Sequence, residues 1–476
     1  MKSPIPLLIF LSSIFLLTLL ILLSRSKPCS LSFSSSLDNP SFHIHPRLKI
    51  YVADLPRSFN YGLLDQYWSL SAPDSRINSD PDAELRSAIA ASGRRGLLPY
   101  PENPLIKQYN AEYWLLGDLE TPVRLRAVSS VVERVYDWRN ADVVFVPFFA
   151  TLSAEMELGW GRKGGFLKKE GNGDYSRQRD VVDRIKRSDA WKRSGGRDHV
   201  FVLTDPVAMW HVRAEIAPAM LLVVDFGGWY KLDAKESAKE SQGNTSHMIQ
   251  HTQVSLIKDV IVPYTHLLPR LQLLEDRPRT ILLYFKGAKH RHRGGLIREK
   301  LWDVLLNEHD VVMEEGFPNA TGREQSIKGM RSSDFCLHPA GDTPTSCRLF
   351  DAVLSLCIPV IVSDYIELPF EGMVDYSEFA VFVSVNDAVQ PGWLVSYLRS
   401  FSEDQKNGFR RKMMSVQHMF EYDNGSPGGV GPVALDGAVN NIWRKVQQKL
   451  PLIKEAIVRE KRKPGGTSTP LRCYCM

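Results

Sequence analysis

Arg348 and Asp351 lie three residues apart in the run AGDTPTSCRLFDAVLSLCIPVIVSDYIELPF, residues 340–370. On a helix this spacing puts both side chains on one face. Gly341 lets the chain turn, Asp342 or Thr343 can cap the helix and Pro344 fits its first turn, so the pair is expected close to the amino end. Free amide hydrogens and the positive end of the dipole attract phosphate there, an arginine adds charge-assisted hydrogen bonds, and a carboxylate accepts from ribose hydroxyls. This is nucleotide-binding chemistry, although a surface Arg–Asp ion pair would use the same two residues. A second loop, KGAKHRHRGGLIR, sets Lys286, Lys289, Arg291, Arg293 and Arg298 around Gly287, Gly294 and Gly295 at another helix start. Taken alone it could be a solvated basic loop. Two phosphate-friendly loops in succession favour the nucleotide. His290 and His292 have no evident ligand partners, so no metal is expected.

The elements around these loops decide where they point. Continuous apolar runs at 49–55, 141–149, 199–206, 219–227 and 259–264 read as strands buried on both faces, the habit of a parallel sheet flanked by helices. A second set follows the charged, proline-containing Leu274–Thr280. It comprises the strand TILLYF, a helix with Ile297, Leu301, Val304 and Leu305 on one face, the strand DVVMEE, a helix around REQSIKGMRSS, and the strand DFCLHPA. The opening run comes next, with Leu349, Ala352, Val353 and Leu356 toward the sheet, then the strand AVFVSV (Ala380–Val385) and, beyond a glycine-rich loop, the helix AVNNIWRKVQQKL. The expectation is two Rossmann-like α/β domains, 48–273 and 274–434, with a C-terminal helix and tail over 435–476. Ligands of such folds bind in the crevice at the carboxyl ends of the strands.

A length of 476 residues suits two domains, and 43% hydrophobic with 24% charged residues is a globular composition. The formal charge of +5 is scattered rather than gathered in a patch, which argues against nucleic acid. Ile5–Leu23 carries no charge, is about as long as a membrane-spanning helix needs, and is followed by no small-residue cleavage site. We read residues 1–4 as a tail, 5–23 as an uncleaved signal anchor and the Ser-rich 24–47 as a tether. Lys2 on one side and Arg25 and Lys27 on the other leave the orientation open. Asn244, Asn319 and Asn424 begin glycosylation sequons. The six cysteines are too few and too uneven for a disulfide framework, and Cys336 and Cys357, in apolar runs, are expected to be buried thiols.

With RSSDFCLHPAGDTPTSCRLFDAVLSLCIPVIVSDYIELPF, YFKGA and RHRGGLIR, and LKIYVADLP, ADVVFVPF and GRDHVFVLTDP further forward, the chain resembles the exostosin family of glycosyltransferases. It is most similar to the plant branch of Golgi cell-wall enzymes, in particular the arabinosyltransferase-like group. The resemblance implies a GT-B fold preceded by one transmembrane helix, a single-pass type II anchor in the Golgi membrane with the catalytic part in the lumen, and inverting transfer of a sugar from a UDP-sugar to a polysaccharide or glycoprotein acceptor. Family members use arabinose, xylose, galactose or glucuronate, and they associate as homo- or hetero-oligomers with other glycosyltransferases. By position, Arg348 and Asp351 fall on the Arg-x-x-Glu/Asp pair of the family's donor site, with Asp351 one methylene shorter than the Glu many members carry. Gly341, Lys286, Arg293 and Arg298 belong to the same donor loops, and Asp364 and Glu367 could reach the donor sugar or hold their loop. Arginines and helix dipoles would stabilise the leaving diphosphate without an essential metal or cofactor. Asp205, Glu112, His199 and His211 are candidates for the general base. A GT-A enzyme would need an Asp-x-Asp after a strand, and the one such triplet, Asp80–Asp82, lies in a polar stretch. A non-catalytic lumenal partner subunit of a transferase complex is the alternative function, and a carbohydrate receptor a third.

Overall fold

The computed structural model describes residues 47–70, 97–158, 168–226, 230–232, 246–248, 254–271, 278–290, 297–316, 320–341 and 343–462. The anchor, most of the tether, Asp80–Asp82, Asn244, Arg291, His292, Arg293, Asn319 and Asp342 lie outside the described residues. From Arg47 onward the chain forms one compact unit.

Two parallel sheets organise that unit. The first contains β1 (Leu48–Val52), β2 (Val132–Val135), β3 (Val143–Phe145), β4 (His199–Val202), β5 (Met220–Val223) and, after a separate antiparallel pair of β6 (Tyr230–Leu232) and β7 (Ser246–Met248), β8 (Val260–Ile261). Their order is β2-β1-β3-β4-β5-β8, with every pairing parallel. The second contains β9 (Ile281–Lys286), β10 (Val311–Glu314), β11 (Ser333–Pro339), β12 (Ile358–Val362) and β13 (Val381–Val383), in the parallel order β10-β9-β11-β12-β13. β3, β4, β5, β11 and β12 are buried at every position, as continuous apolar runs require. β2 was not anticipated. It is an edge strand, VERV, with Glu133 exposed, and an edge bonded on one side only needs no apolar run.

Helices cover the sheets: α1 (Ala111–Glu120), α2 (Ala150–Leu158), α3 (Gly173–Arg187), α4 (Ile297–Leu305), α5 (Ala320–Arg331), α6 (Cys347–Leu354) and α7 (Ala438–Lys461). The last of these returns to the first sheet. Its Trp443 is fully buried, meets the Phe145 ring edge-on at 5.9 Å and donates from Nε1 to Asp118 Oδ2 at 3.1 Å. α1 in turn receives the glycine-rich loop, where a Cβ on Gly117 would stand 2.4 Å from the backbone of Gly429, so position 117 has no room for a side chain, and Gly429 itself takes a left-handed φ of +68°.

Two sequence expectations need correction. Cys336 and Cys357 are not thiols but a disulfide, with Cα atoms 5.6 Å apart. β11 and β12 are neighbours, with Cys336 opposite Pro359, and that adjacency brings the two sulfurs together; Cys347 remains a buried thiol. The helix of the opening run starts at Cys347 with Ser346 at the N-cap position, so Thr343 and Pro344 lie ahead of it in the loop. The cause is Asp225 beyond β5, which takes both the amide and the hydroxyl of Thr345 and holds the segment extended.

The disulfide closes a loop with a sequence separation of 21. Replacing both cysteines by serine is expected to lower stability by about 3 kcal/mol. Urea denaturation of the variant against the oxidised parent reads this out, and equal midpoints would contradict it.

Candidate functional site

The site is assembled where β9 and β11 end and α6 begins. Arg348, in the first turn of α6, donates from Nε to the carbonyl of Lys286 at 2.7 Å and from Nη1 to Ser346 Oγ at 3.4 Å. Its Nη2 has no hydrogen-bond partner among the described residues. Gly287 lies directly against it, and a Cβ there would come within 3.1 Å of Nη2. Arg298 of α4 is buried and braces the same exits, donating to Ala340 O at 3.0 Å, Ala288 O at 3.2 Å and Pro339 O at 3.4 Å, with its guanidinium over the Phe285 ring. Gly341 lies hard against it: a Cβ there would stand 2.5 Å from Arg298 Nη2, so the guanidinium would have to leave its carbonyl partners to make room. His338, near the end of β11, is buried; burial, then the charges of Arg298 and Arg348, pushes its pKa down to about 3, so the ring is neutral.

Sequence charge did not reveal direction. Lys286, expected at the donor, sends Nζ to Glu314 Oε2 at 3.0 Å and Gln325 Oε1 at 2.7 Å. Asp351 is buried, and its Oδ1 accepts from the amides of Leu267 at 2.6 Å and Leu268 at 2.8 Å, tying α6 to the chain that enters the second sheet. Burial pushes its pKa up to about 6 against the lowering effect of those bonds and of Arg348. Asp225, which sequence reasoning missed, does the matching work from the first sheet. Its Oδ1 accepts from Thr345 N at 3.0 Å and Thr345 Oγ1 at 3.1 Å, and its Oδ2 from Tyr264 OH at 2.9 Å. Burial raises its pKa to about 7. A carboxylate directly after a fully apolar strand was the available signal. Asp364 is exposed and accepts from Val385 N at 3.1 Å. Glu367 donates its backbone N–H to Phe226 O at 3.4 Å, and its carboxyl hydrogen-bonds Glu371, whose pKa burial and that neighbour push up to about 7.

The base candidates separate. Glu112, buried in α1, caps α2 by accepting from Thr151 N at 3.0 Å and Leu152 N at 3.2 Å and also accepts from Tyr100 OH at 3.0 Å; burial raises its pKa to about 8. His199 sits at the amino end of β4, away from the strand-end loops, with Nδ1 2.8 Å from Asp198 Oδ1 and its ring on Trp191. His211 meets the Tyr175 ring at 5.1 Å. Asp205, just past β4, accepts from Val207 N at 2.7 Å and shares a hydrogen bond with half-buried Glu155, which burial and then Asp205 push up to about 9. Tyr109 links this region to α6 through Tyr264, whose ring it meets at 5.5 Å and which meets Phe350 of α6 at 6.4 Å; burial, then Asp205, Asp225, Glu155 and Cys347, hold the Tyr109 hydroxyl well above the usual range. Asn424 commits the side-chain nitrogen a glycan would need to Gly429 O at 2.9 Å and Gly431 O at 3.3 Å. Among the described residues the one grouping of metal-ligand type, Glu308, His309 and Asp310, is consecutive in sequence, and Arg399 pairs with both carboxylates.

Comparison with known proteins gives this arrangement its class. Residues 44–398 match the exostosin GT47 domain. The chain is a glycosyltransferase, and it belongs to the exostosin GT47 family. It is 35% identical over 463 residues to the probable arabinosyltransferase ARAD1 of Arabidopsis thaliana, covering 95% of this chain and 91% of that one. It is 26% identical over 358 residues to the probable xyloglucan galactosyltransferase GT14 of the same plant, covering 71% and 62%. The N-terminal domain of Candida albicans trehalose-6-phosphate phosphatase aligns with a TM-score of 0.30 and 9% identity over 87% of this chain and 98% of that one.

Because the folded pKa of Glu112 is raised above its unfolded value, its contribution to stability is full below about pH 4.5 and is lost as pH rises through about 8. Glu112→Gln should therefore flatten the decline in melting temperature between those values. Identical slopes for parent and variant in a pH series of thermal melts would contradict this.

Proposed function

We propose that this chain is a UDP-sugar-dependent transferase of GT-B architecture that moves a sugar, arabinose first among the alternatives, onto a cell-wall polysaccharide or glycoprotein with inversion at the anomeric carbon. The observation that carries the reading is the front of α6. It lies at the carboxyl ends of β9 and β11, presents the unfilled edge of Arg348, and is held by Asp225 at the carboxyl end of the first sheet. Phosphate suits that position because helix-end amides and a guanidinium supply donors and positive charge without a metal. The relatives named as arabinosyl- and galactosyltransferases support a sugar nucleotide as donor. An acceptor hydroxyl reaching the Asp205–Glu155 pair would find a carboxylate to take its proton. The disulfide between Cys336 and Cys357 and the sequons at Asn244 and Asn319 favour an oxidising lumen, and Ile5–Leu23 supplies the type II Golgi anchor of this reading.

The full chain, purified in detergent, is to be incubated with UDP-arabinose, UDP-xylose, UDP-galactose and UDP-glucuronate and with pectic, xylan and extensin acceptors. One donor should support transfer, most of the activity should survive EDTA, and Arg348→Ala should lower turnover by more than it weakens UDP binding. Absence of transfer from every donor, or an Arg348→Ala variant as active as the parent, would overturn the proposal.

A further inference from the structure

We infer that His338 is a donor-positioning residue whose buried Nε2–H completes, with Arg348 and the front of α6, a notch for the phosphates of a nucleoside diphosphate. The inference rests on the reading of α6 given above and adds to it a residue that neither the motif nor the charge pattern marks.

Four observations converge on the notch. His338 is only 4% exposed, and its Nε2 has no hydrogen-bond partner among the described residues. A buried polar nitrogen left without a partner is costly, so one that persists points to a partner supplied from outside. Burial, and then the charges of Arg298 and Arg348, disfavour the imidazolium, and a neutral imidazole with its proton on Nε2 is a hydrogen-bond donor that adds no charge. Ser346, at the N-cap position of α6, makes no side-chain capping bond, so the helix end is not closed off by its own cap. Arg348 spends Nε and Nη1 on Lys286 O and Ser346 Oγ, leaves Nη2 open, and has glycine rather than a side chain at 287 against that edge.

The occupant must be anionic and rich in acceptors. Arg298 has its guanidinium committed to three carbonyls, so its charge is present while its geometry is fixed. Arg348 is anchored at one edge and open at the other. A phosphate there would accept from Arg348 Nη2, from the α6 amide end and from His338 Nε2 together, and it would offset the two guanidinium charges. Ribose and uracil carry no such charge, so His338 should act on the phosphates alone.

Calorimetric titration of the full chain in detergent with UDP and with uridine tests this. His338→Leu keeps the bulk and removes the donor; it should weaken UDP binding roughly 10-fold or more and leave uridine binding unchanged, while His338→Gln, which retains an N–H, should stay within about threefold of the parent. If His338→Leu melts well below the parent, His338→Gln against His338→Met makes the same comparison. UDP binding by the donorless variant equal to the parent's, or an equal loss for UDP and uridine, would overturn the assignment. Failure of the parent to bind UDP at all would overturn the donor-site reading itself, and this inference with it.

Discussion

The carboxylate of Asp225 is the contact on which the position of α6 against the first sheet depends. It lies at the exit of β5 in the first sheet, yet its hydrogen bonds go to Thr345, just ahead of α6, and to Tyr264, on the chain leading to the second sheet. Without it the amide of Thr345 would be buried unpaired, at about 1–3 kcal/mol, and its hydroxyl would keep only the longer bond to Val224 O at 3.4 Å. Asp351 repeats the device from the other side by taking the amides of Leu267 and Leu268. α6 is therefore held at two points, by Asp225 ahead of it and by the amides of Leu267 and Leu268 along it, and a ligand bound at its front meets a surface organised in advance rather than one that must be ordered on arrival.

Around that fixed helix the structure tolerates features a purely structural segment would avoid. Two guanidiniums lie near one neutral histidine, the helix end lacks a side-chain cap, and glycine occupies the positions that face the arginines. The clustered guanidiniums and the uncapped helix end are each unfavourable in isolation, and on the proposed reading a bound anion would offset both. Conflicts with local rules that share a single remedy are the signature of a functional site. Beyond β4, Asp205 and Glu155 share a hydrogen bond, and Tyr109 lies within the electrostatic reach of both them and Cys347 of α6.

Much of this was legible in the sequence, and the parts that were not have a common cause. Continuous apolar runs disclosed the parallel strands because burial on both faces leaves no alternative composition. The apolar face of α6 placed Leu349, Ala352 and Val353 correctly, all three buried. What failed depended on partners distant in the chain. The start of α6 shifted because Thr345 is held by a carboxylate 120 residues earlier. The disulfide needed the adjacency of β11 and β12, which a sequence does not display. Lys286 and Arg298 were visible as charge, but their directions were set by Glu314, Gln325 and three strand-end carbonyls. Asp225, Glu155 and His338 were overlooked because single polar residues inside or beside apolar stretches carry no spacing pattern.

A crystal structure of the chain with UDP bound would show whether the front of α6 holds the nucleotide. Diphosphate oxygens are expected at hydrogen-bond distance, about 3 Å, from the Arg348 guanidinium and the first amides of α6. A nucleotide seated elsewhere, with the front of α6 and the open edge of Arg348 facing only solvent, would contradict this.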